Sequence, residues 1–313
     1  MSKNKKSTFF DKDSAFKYLV VGSSLVVVIF FAMIFMMLLV RSYPAMANDP
    51  LMIFGSNWDV AAGIFGGAPA ILGTLVSSAI AVLFAIPISL AVAIFFTEYA
   101  PRRIRTGLSV LIDMLATIPS VIFGIWGLWI IAPLVKTHIQ EPIVSSIGFI
   151  PIFSGPAYGL SLFLASLVLT FMIVPIISSL SISLLSSTPV ELREAMISLG
   201  ATRWEVVKHV ALPFSKPGIF AAIILALGRA LGETMAVTMV IGNSFVWPFS
   251  SPSIFSPAST ITSKIASELY EAIDVLHVSS LIELGLILLV ITLVINSIAR
   301  LIATRVSKRS GYT

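Results

Sequence analysis

The sequence predicts an all-α, polytopic membrane protein with six transmembrane helices and both termini on the cytoplasmic side. Three observations carry that reading. The 313 residues are 57% hydrophobic and only 11% charged, with a mean hydropathy of +1.02, whereas soluble domains carry about a quarter charged residues. Six stretches stay apolar for long enough to cross a bilayer. Basic residues gather in alternate connections between those stretches.

The first span covers 18–40, behind a cytoplasmic arm at 1–17. Lys3, Lys5 and Lys6 followed by an apolar run and Ala45-Met46-Ala47 have the outline of a secretory signal. The uncharged run from Tyr18 to Val40 is too long for one, since a signal core is about 7–15 residues and a span about 20. An uncleaved anchor is the expectation. An outer loop at 41–69, containing "NWDVAAGIFGGAPA", leads into a core at 70–305 whose five further spans are 70–96, 108–135, 158–186, 216–243 and 279–304. Pro87, Pro119 and Pro175 fall inside three of them. Spanning helices tolerate proline where neighbours satisfy the freed backbone, so a packed bundle is expected. A second long outer segment, 244–278, opens with "SFVWPFSSPSIFSP". Ile265, Leu269, Ala272 and Ile273 then recur at helical spacing and predict a short surface helix, either a connector or a partner-docking surface. A cytoplasmic tail follows at 306–313.

Placing the N-terminus inside puts sixteen of the 20 Lys and Arg in cytoplasmic segments, three outside (Arg41, Lys136, Lys264) and Arg229 in the membrane. That bias fixes orientation and accounts for the net charge of +5 without nucleic acid. The absence of cysteine excludes disulfides, thiol catalysis and cysteine-ligated metals. His138, His209 and His277 are too scattered to suggest a metal or a catalytic pair. Asp113 and Glu283 sit near predicted helix ends, where a carboxylate suits an N-terminus.

The inner loop "STPVELREAMISLGATRWEVVKHVALP", residues 187–213, has the local chemistry of a helical hairpin. Thr188 is placed to N-cap a first helix, with Pro189 at its first position and Glu191 completing a capping box. Leu192, Met196 and Leu199 share one face, and Gly200 ends the helix. Thr202 and Glu205 repeat the capping-box spacing and open a second helix, which Leu212-Pro213 closes. Such a hairpin could lie on the lipid surface. Glu194-Ala195-Met196, then Gly200, then Leu212-Pro213, resembles the EAA loop of ABC-importer permeases, with Met in the place of the second Ala. The resemblance implies a type I permease fold and a loop that docks on a separate ATP-hydrolysing subunit. The chain has no G-x-x-x-x-G-K-[ST] loop of its own. The resemblance therefore places ATP and Mg on the partner, and no cofactor on this chain, which is a transport subunit rather than an enzyme.

Arg229 and Glu233 stand in an otherwise apolar span, in "GRALGETMAV". A charge at the bilayer centre costs about 2.5–3.5 kcal/mol on insertion scales. At i, i+4 spacing the two are expected on one helix face and in contact, with Gly228 and Gly232 forming a small-residue stripe for a neighbouring helix. The pair could simply hold helices together. Alternatively the guanidinium offers an oxyanion a planar fork, while Glu233 positions it, with Thr234, Thr238 and Asn243 as polar company. "LALGRALGETMAVTMVIGN" at 225–243, "DMLATIPSVIFGIWGL" at 113–128 and the stretch from Thr260 to Arg300 resemble phosphate ABC-importer permeases, closer to the PstC type than to its PstA partner. The likeness spans most of 70–305. It implies that Arg229 and Glu233 belong to a phosphate path, in an inner membrane. The implied partners are a PstA-like second permease, a homodimeric PstB-like ATP-binding subunit and a PstS-like extracytoplasmic phosphate-binding protein. Sulfate or molybdate would suit the same arginine. A proton-coupled carrier using Glu233 is a further alternative, although it leaves the 187–213 loop without a role.

Overall fold

The computed structural model describes residues 7–245 and 247–309, so part of the predicted N-terminal arm and the end of the tail lie outside the described residues. The elements in chain order begin with α1 (Ser7–Asn48), a two-stranded antiparallel hairpin of β1 (Trp58–Asp59) and β2 (Ile64–Phe65), and α2 (Ala68–Ile94). There follow α3 (Arg102–Thr117), α4 (Ser120–Trp126), α5 (Ala132–Val135) and α6 (Glu141–Ile147). Next come α7 (Leu162–Ser186), α8 (Val190–Ser198), α9 (Arg203–Val206) and α10 (Leu212–Leu231). The chain ends with α11 (Met235–Val240), α12 (Ile261–Glu268) and α13 (Val275–Arg309). Six helical segments among the described residues are long and apolar enough to cross a membrane. The ends of the bundle are distinguished below as the basic end, where α8 and α9 lie, and the opposite end.

At the centre is α7, whose Leu164, Leu169, Ile173 and Ile177 are fully buried. Helices in lipid gain little from hydrophobic exclusion and associate through close packing and interhelical hydrogen bonds. The pairing of α2 with α7 uses both. Ala81 and Ala85 bury completely, Ser89 donates to the Val174 carbonyl at 3.1 Å, and Thr170 donates to the Ala81 carbonyl at 3.3 Å.

Proline decides where these helices widen. Four π-helical turns, Phe95–Tyr99, Gly127–Ile131, Lys136–Gln140 and Val207–Ala211, are each followed two residues on by Pro101, Pro133, Pro142 and Pro213. A proline ring clashes with the carbonyl four residues back, and that carbonyl falls inside the π turn each time. The wider turn moves it aside, so before Pro133, Pro142 and Pro213 the helix bends without ending, whereas before Pro101 it stops at Tyr99 and α3 begins anew. Leu212-Pro213, expected to close the second hairpin helix, therefore lies within a continuous run from α9 into α10. Pro101 leaves the Thr97 carbonyl, which Arg105 Nη2 takes up at 2.8 Å.

Pro119 acts differently and corrects the third span. Residues 108–135 are not one helix. Ile118 and Pro119 are extended, so α3 ends at Thr117 as a separate amphipathic helix and the span runs from Ser120 to Ile147. Asp113 therefore lies on α3, where it accepts a hydrogen bond from Ser179 of α7 at 2.8 Å. Glu283 is likewise not at a helix end but in the third turn of α13, where it is buried.

The segment 244–278 is more than a surface connector. Phe255, Ala258, Ser259 and Ile261 are buried, and a Cβ at Gly73 would lie 2.0 Å from the Ser259 carbonyl oxygen, so only glycine admits this loop against α2. Irregular backbone at membrane depth must be satisfied by protein. Here Ile254 and Ser256 carbonyls accept from Phe163 and Leu162 amides, and the Ile261 amide donates to Thr74 Oγ1 at 2.9 Å. The helix within this segment begins earlier than expected, capped by Thr260, and stops at Glu268. Ile273 consequently stands exposed rather than on its face.

Candidate functional site

Arg229 lies in the last turn of α10 and lines one cavity with Ile176, near the middle of α7, and with Thr292 and Asn296 of α13. It is therefore deep in the bundle along the membrane normal. It is nevertheless exposed on the surface of the chain, at the edge of an open concavity of about 740 Å³ between α7, α10 and α13. The expected contact with Glu233 does not form. Gly232 caps the end of α10, and the helix resumes as α11 only at Met235, so the two residues do not share a helix face. Among the described residues Arg229 makes neither a hydrogen bond nor an ion pair. Gly228 faces Asn296 of α13, whereas Gly232 serves the turn, so the glycines do not form one stripe.

Glu233 works on the turn itself. Its Oε1 accepts from the Ala236 amide at 3.3 Å, satisfying a free donor at the start of α11, and its carbonyl accepts from Thr262 Oγ1 at 2.7 Å. The two charges complement the broken helix: arginine at the negative end of α10, glutamate at the positive end of α11. Thr234 donates to the Gly232 carbonyl at 3.3 Å and Thr238 to the Thr234 carbonyl at 2.7 Å. Asn243 Nδ2 donates to the Thr238 carbonyl at 2.9 Å. These groups brace the break rather than the arginine. On the far side α11 packs closely on α4, where a Cβ at Gly124 would meet Met239 Sδ at 2.7 Å and Ala236 Cα at 3.0 Å.

The half-buried cation Lys264, by contrast, has partners. At the opposite end Lys264 stands 4.7 Å from the Trp58 ring centroid and 4.4 Å from that of Phe245, and pairs with Glu268. Glu268 also accepts from Trp58 Nε1 at 2.9 Å and contacts His277 Nε2 at 3.0 Å. Burial pulls the Lys264 amine below its ordinary pKa. Burial alone would raise Glu268, but hydrogen bonds from Lys264 and His277 outweigh it and hold that carboxyl below the usual range.

At the basic end, residues 187–213 form a hairpin. The first helix starts one residue later than expected, at Val190. Pro189 precedes it in an extended conformation, and Thr188 buries its hydroxyl without capping. Gly200, at φ +85°, makes the turn: its amide bonds the Ile197 carbonyl and the Ala201 amide bonds the Met196 carbonyl, a Schellman closure. The Thr202–Glu205 capping box forms in full. Glu194, Ala195 and Gly200 are all solvent-exposed, and Leu199 is 84% exposed. Sequence reasoning missed what anchors the hairpin. Arg193 pairs with Glu98 at the end of the second span, and its Nη2 donates to the Leu185 carbonyl of α7 at 2.7 Å. The only signal available was an Arg within the loop and an acidic residue at the end of a span.

With this geometry in place, residues 85–308 match the family described as Binding-protein-dependent transport system inner membrane component. The chain belongs to that family. Among curated relatives, the "Phosphate transport system permease protein PstC" of Mesorhizobium japonicum is 44% identical over 259 residues, covering 82% of this chain and 78% of that protein. The Haemophilus influenzae protein of the same name is 41% identical over 304 residues, covering 96% and 95%. Among solved structures, a bacterial alginate ABC transporter in complex with its alginate-bound periplasmic protein aligns over 95% of this chain and 98% of that one. The TM-score is 0.60 at 18% identity. The inward-facing MetNI methionine ABC transporter aligns over 76% and 94%, with a TM-score of 0.56 at 18% identity. At such identities the likeness fixes the fold: the family's permease architecture, carried by a multi-pass membrane protein.

Proposed function

We propose that this chain is a permease subunit of an ATP-driven phosphate importer in the bacterial cytoplasmic membrane. The observation that carries this reading is Arg229: a mid-span guanidinium on an open concavity, unpaired among the described residues. Lipid cannot be its neighbour, because an unpaired charge in hydrocarbon costs several kcal/mol. A second chain must therefore cover that face, leaving a wet passage in which the fixed positive charge meets a dehydrating oxyanion. Phosphate is favoured over sulfate or molybdate by the curated relatives' names.

In this reading the basic end is cytoplasmic, as the charge bias requires. A PstA-like permease lines the other side of the path, and a PstS-like binding protein delivers phosphate from outside. A homodimeric PstB-like subunit, holding ATP and Mg, grips the 187–213 hairpin. Exposed Val190, Leu192, Ile197, Leu199 and Trp204 give that subunit an apolar surface, and the Arg193–Glu98 pair passes its motion to α2 and α7. The chain supplies path and coupling, with no chemistry of its own.

The test is phosphate uptake by cells whose only copy carries Arg229→Gln, with the protein quantified by immunoblot. Loss of uptake at normal abundance supports the anion path. Normal uptake at normal abundance removes Arg229 from it.

A further inference from the structure

The concavity beside Arg229 is shared by α13, which brings an amide to it. Building on the anion path proposed above, we infer that Asn296 is a second residue contacting the passing anion. It donates through Nδ2 while Arg229 supplies the charge.

Asn296 and Thr292 are one helical turn apart and line the same cavity as Gly228 and Arg229. The amide lies against Gly228: a Cβ at that position would sit 3.7 Å from Nδ2 and 3.8 Å from Oδ1. Asn296 Oδ1 is enclosed and has no hydrogen-bond partner. No hydrogen bond among the described residues uses Nδ2 either, so the end of the amide open to the cavity is a free donor. Thr292 cannot play this part, because its hydroxyl already donates to the Leu289 carbonyl at 2.8 Å.

An amide that merely glued α13 to α10 would be bonded across the interface, which is the usual use of Asn between spanning helices. This one is not, and an unbonded amide in a membrane interior is costly. Its chemistry fits a transient ligand. One arginine attracts the anion over distance, whereas a second cation would hold it too firmly to release. A neutral N–H adds direction and a hydrogen bond without adding charge.

The experiment uses the complete transporter reconstituted in proteoliposomes, with radiolabelled inorganic phosphate as the probe. Asn296→Leu removes the donor and keeps the volume. Asn296→Asp also removes it and sets a carboxylate beside the path. Uptake is expected to fall by on the order of tenfold for Asn296→Leu, the fold-change of losing one hydrogen bond to a charged group. Asn296→Asp should fall further. Co-purification with the ATPase subunit and basal ATP hydrolysis should remain unchanged in both. Uptake at the wild-type rate in Asn296→Leu, or equal losses in the Leu and Asp variants, would overturn the inference. So would failure of both variants to assemble, which would assign the amide to helix packing. If the unaltered complex imports no phosphate, the anion-path reading falls and this one with it. If it does import phosphate while both variants match it, only Asn296 is lost.

Discussion

The helical hairpin at the basic end and the broken helix around Arg229 are both discontinuities, and they leave opposite things unsatisfied. In the hairpin the backbone is well served, by a Schellman turn at Gly200 and a capping box at Thr202, and an arginine clamp at Arg193 ties it to the spans. What remains open is apolar, with Leu199 84% exposed. In the broken helix the backbone is equally well served, with Glu233 capping α11 and Thr262 bonding the turn. There the unmet group is a charge. Exposed leucine at the rim of a membrane protein asks for a protein surface, and exposed arginine inside the membrane asks for an anion or a wet passage. The residue left without a partner states what kind of partner is missing.

The largest effect should come from the charge. Arg229→Gln is expected to reduce phosphate uptake by roughly ten- to a hundredfold, the span of one or two charge-assisted hydrogen bonds. Arg229→Lys keeps the charge and loses the planar fork, so its uptake should lie between the two. If the lysine variant transports no better than the glutamine variant, geometry outweighs charge at this point. If both transport normally, the comparison loses one of its two sides.

Next comes the turn of the hairpin. Gly200 has φ +85°, and no atom lies within 4 Å of a Cβ built there, so a substitution meets backbone strain and nothing else. Valine in the left-handed region costs roughly 1–3 kcal/mol, whereas asparagine visits it readily. Gly200→Val should lose most of its ATPase subunit on co-purification, and Gly200→Asn should keep it. Equal retention by both variants would show that the turn's shape is not what the partner grips.

Much of this was legible in the sequence because it depends on local or periodic chemistry. Six apolar runs, the basic bias, the glycine turn and the Thr202–Glu205 box each follow from neighbours within a few residues. The misreadings share a cause. Hydropathy sees Ile118-Pro119 and Gly232-Glu233-Thr234 as brief interruptions in apolar runs, yet the backbone ends a helix at each. Arg229 and Glu233 were separated by that second break, which no i, i+4 rule can register. Pro213 has the local signature of a terminator, but the preceding π turn absorbs it. Asn296 and the Arg193–Glu98 pair depend on residues brought together over long separations. A single sequence offered at most an isolated polar letter for each.

A third effect tests whether the hairpin is a lever or only a plug. Arg193→Ala leaves Glu98 partly buried without its cation and frees the Leu185 carbonyl. The local cost is roughly 1–3 kcal/mol, too little to unfold six packed spans. The ATPase subunit should still bind, since the apolar surface is intact, while ATP hydrolysis loses its dependence on phosphate supply and uptake falls severalfold. Glu98→Gln should act in the same direction more weakly, because the amide oxygen can still accept from the guanidinium. Full transport in both variants would leave the hairpin as a docking point whose motion travels by another route.

The smallest effect is expected at Glu233, and it bears hardest on the comparison. Glutamine keeps an oxygen to accept from the Ala236 amide and loses only the favourable charge at the start of α11, about 0.3–1 kcal/mol. If Glu233 braces the break, Glu233→Gln should change uptake less than about threefold, with little change in its dependence on pH. If instead Glu233 carries a proton, or neutralises Arg229 in another state of the transport cycle, the same variant should abolish uptake as Arg229→Gln does. Uptake measured side by side in the two variants separates these cases, because a bracing carboxylate tolerates replacement by its amide and a titrating one does not.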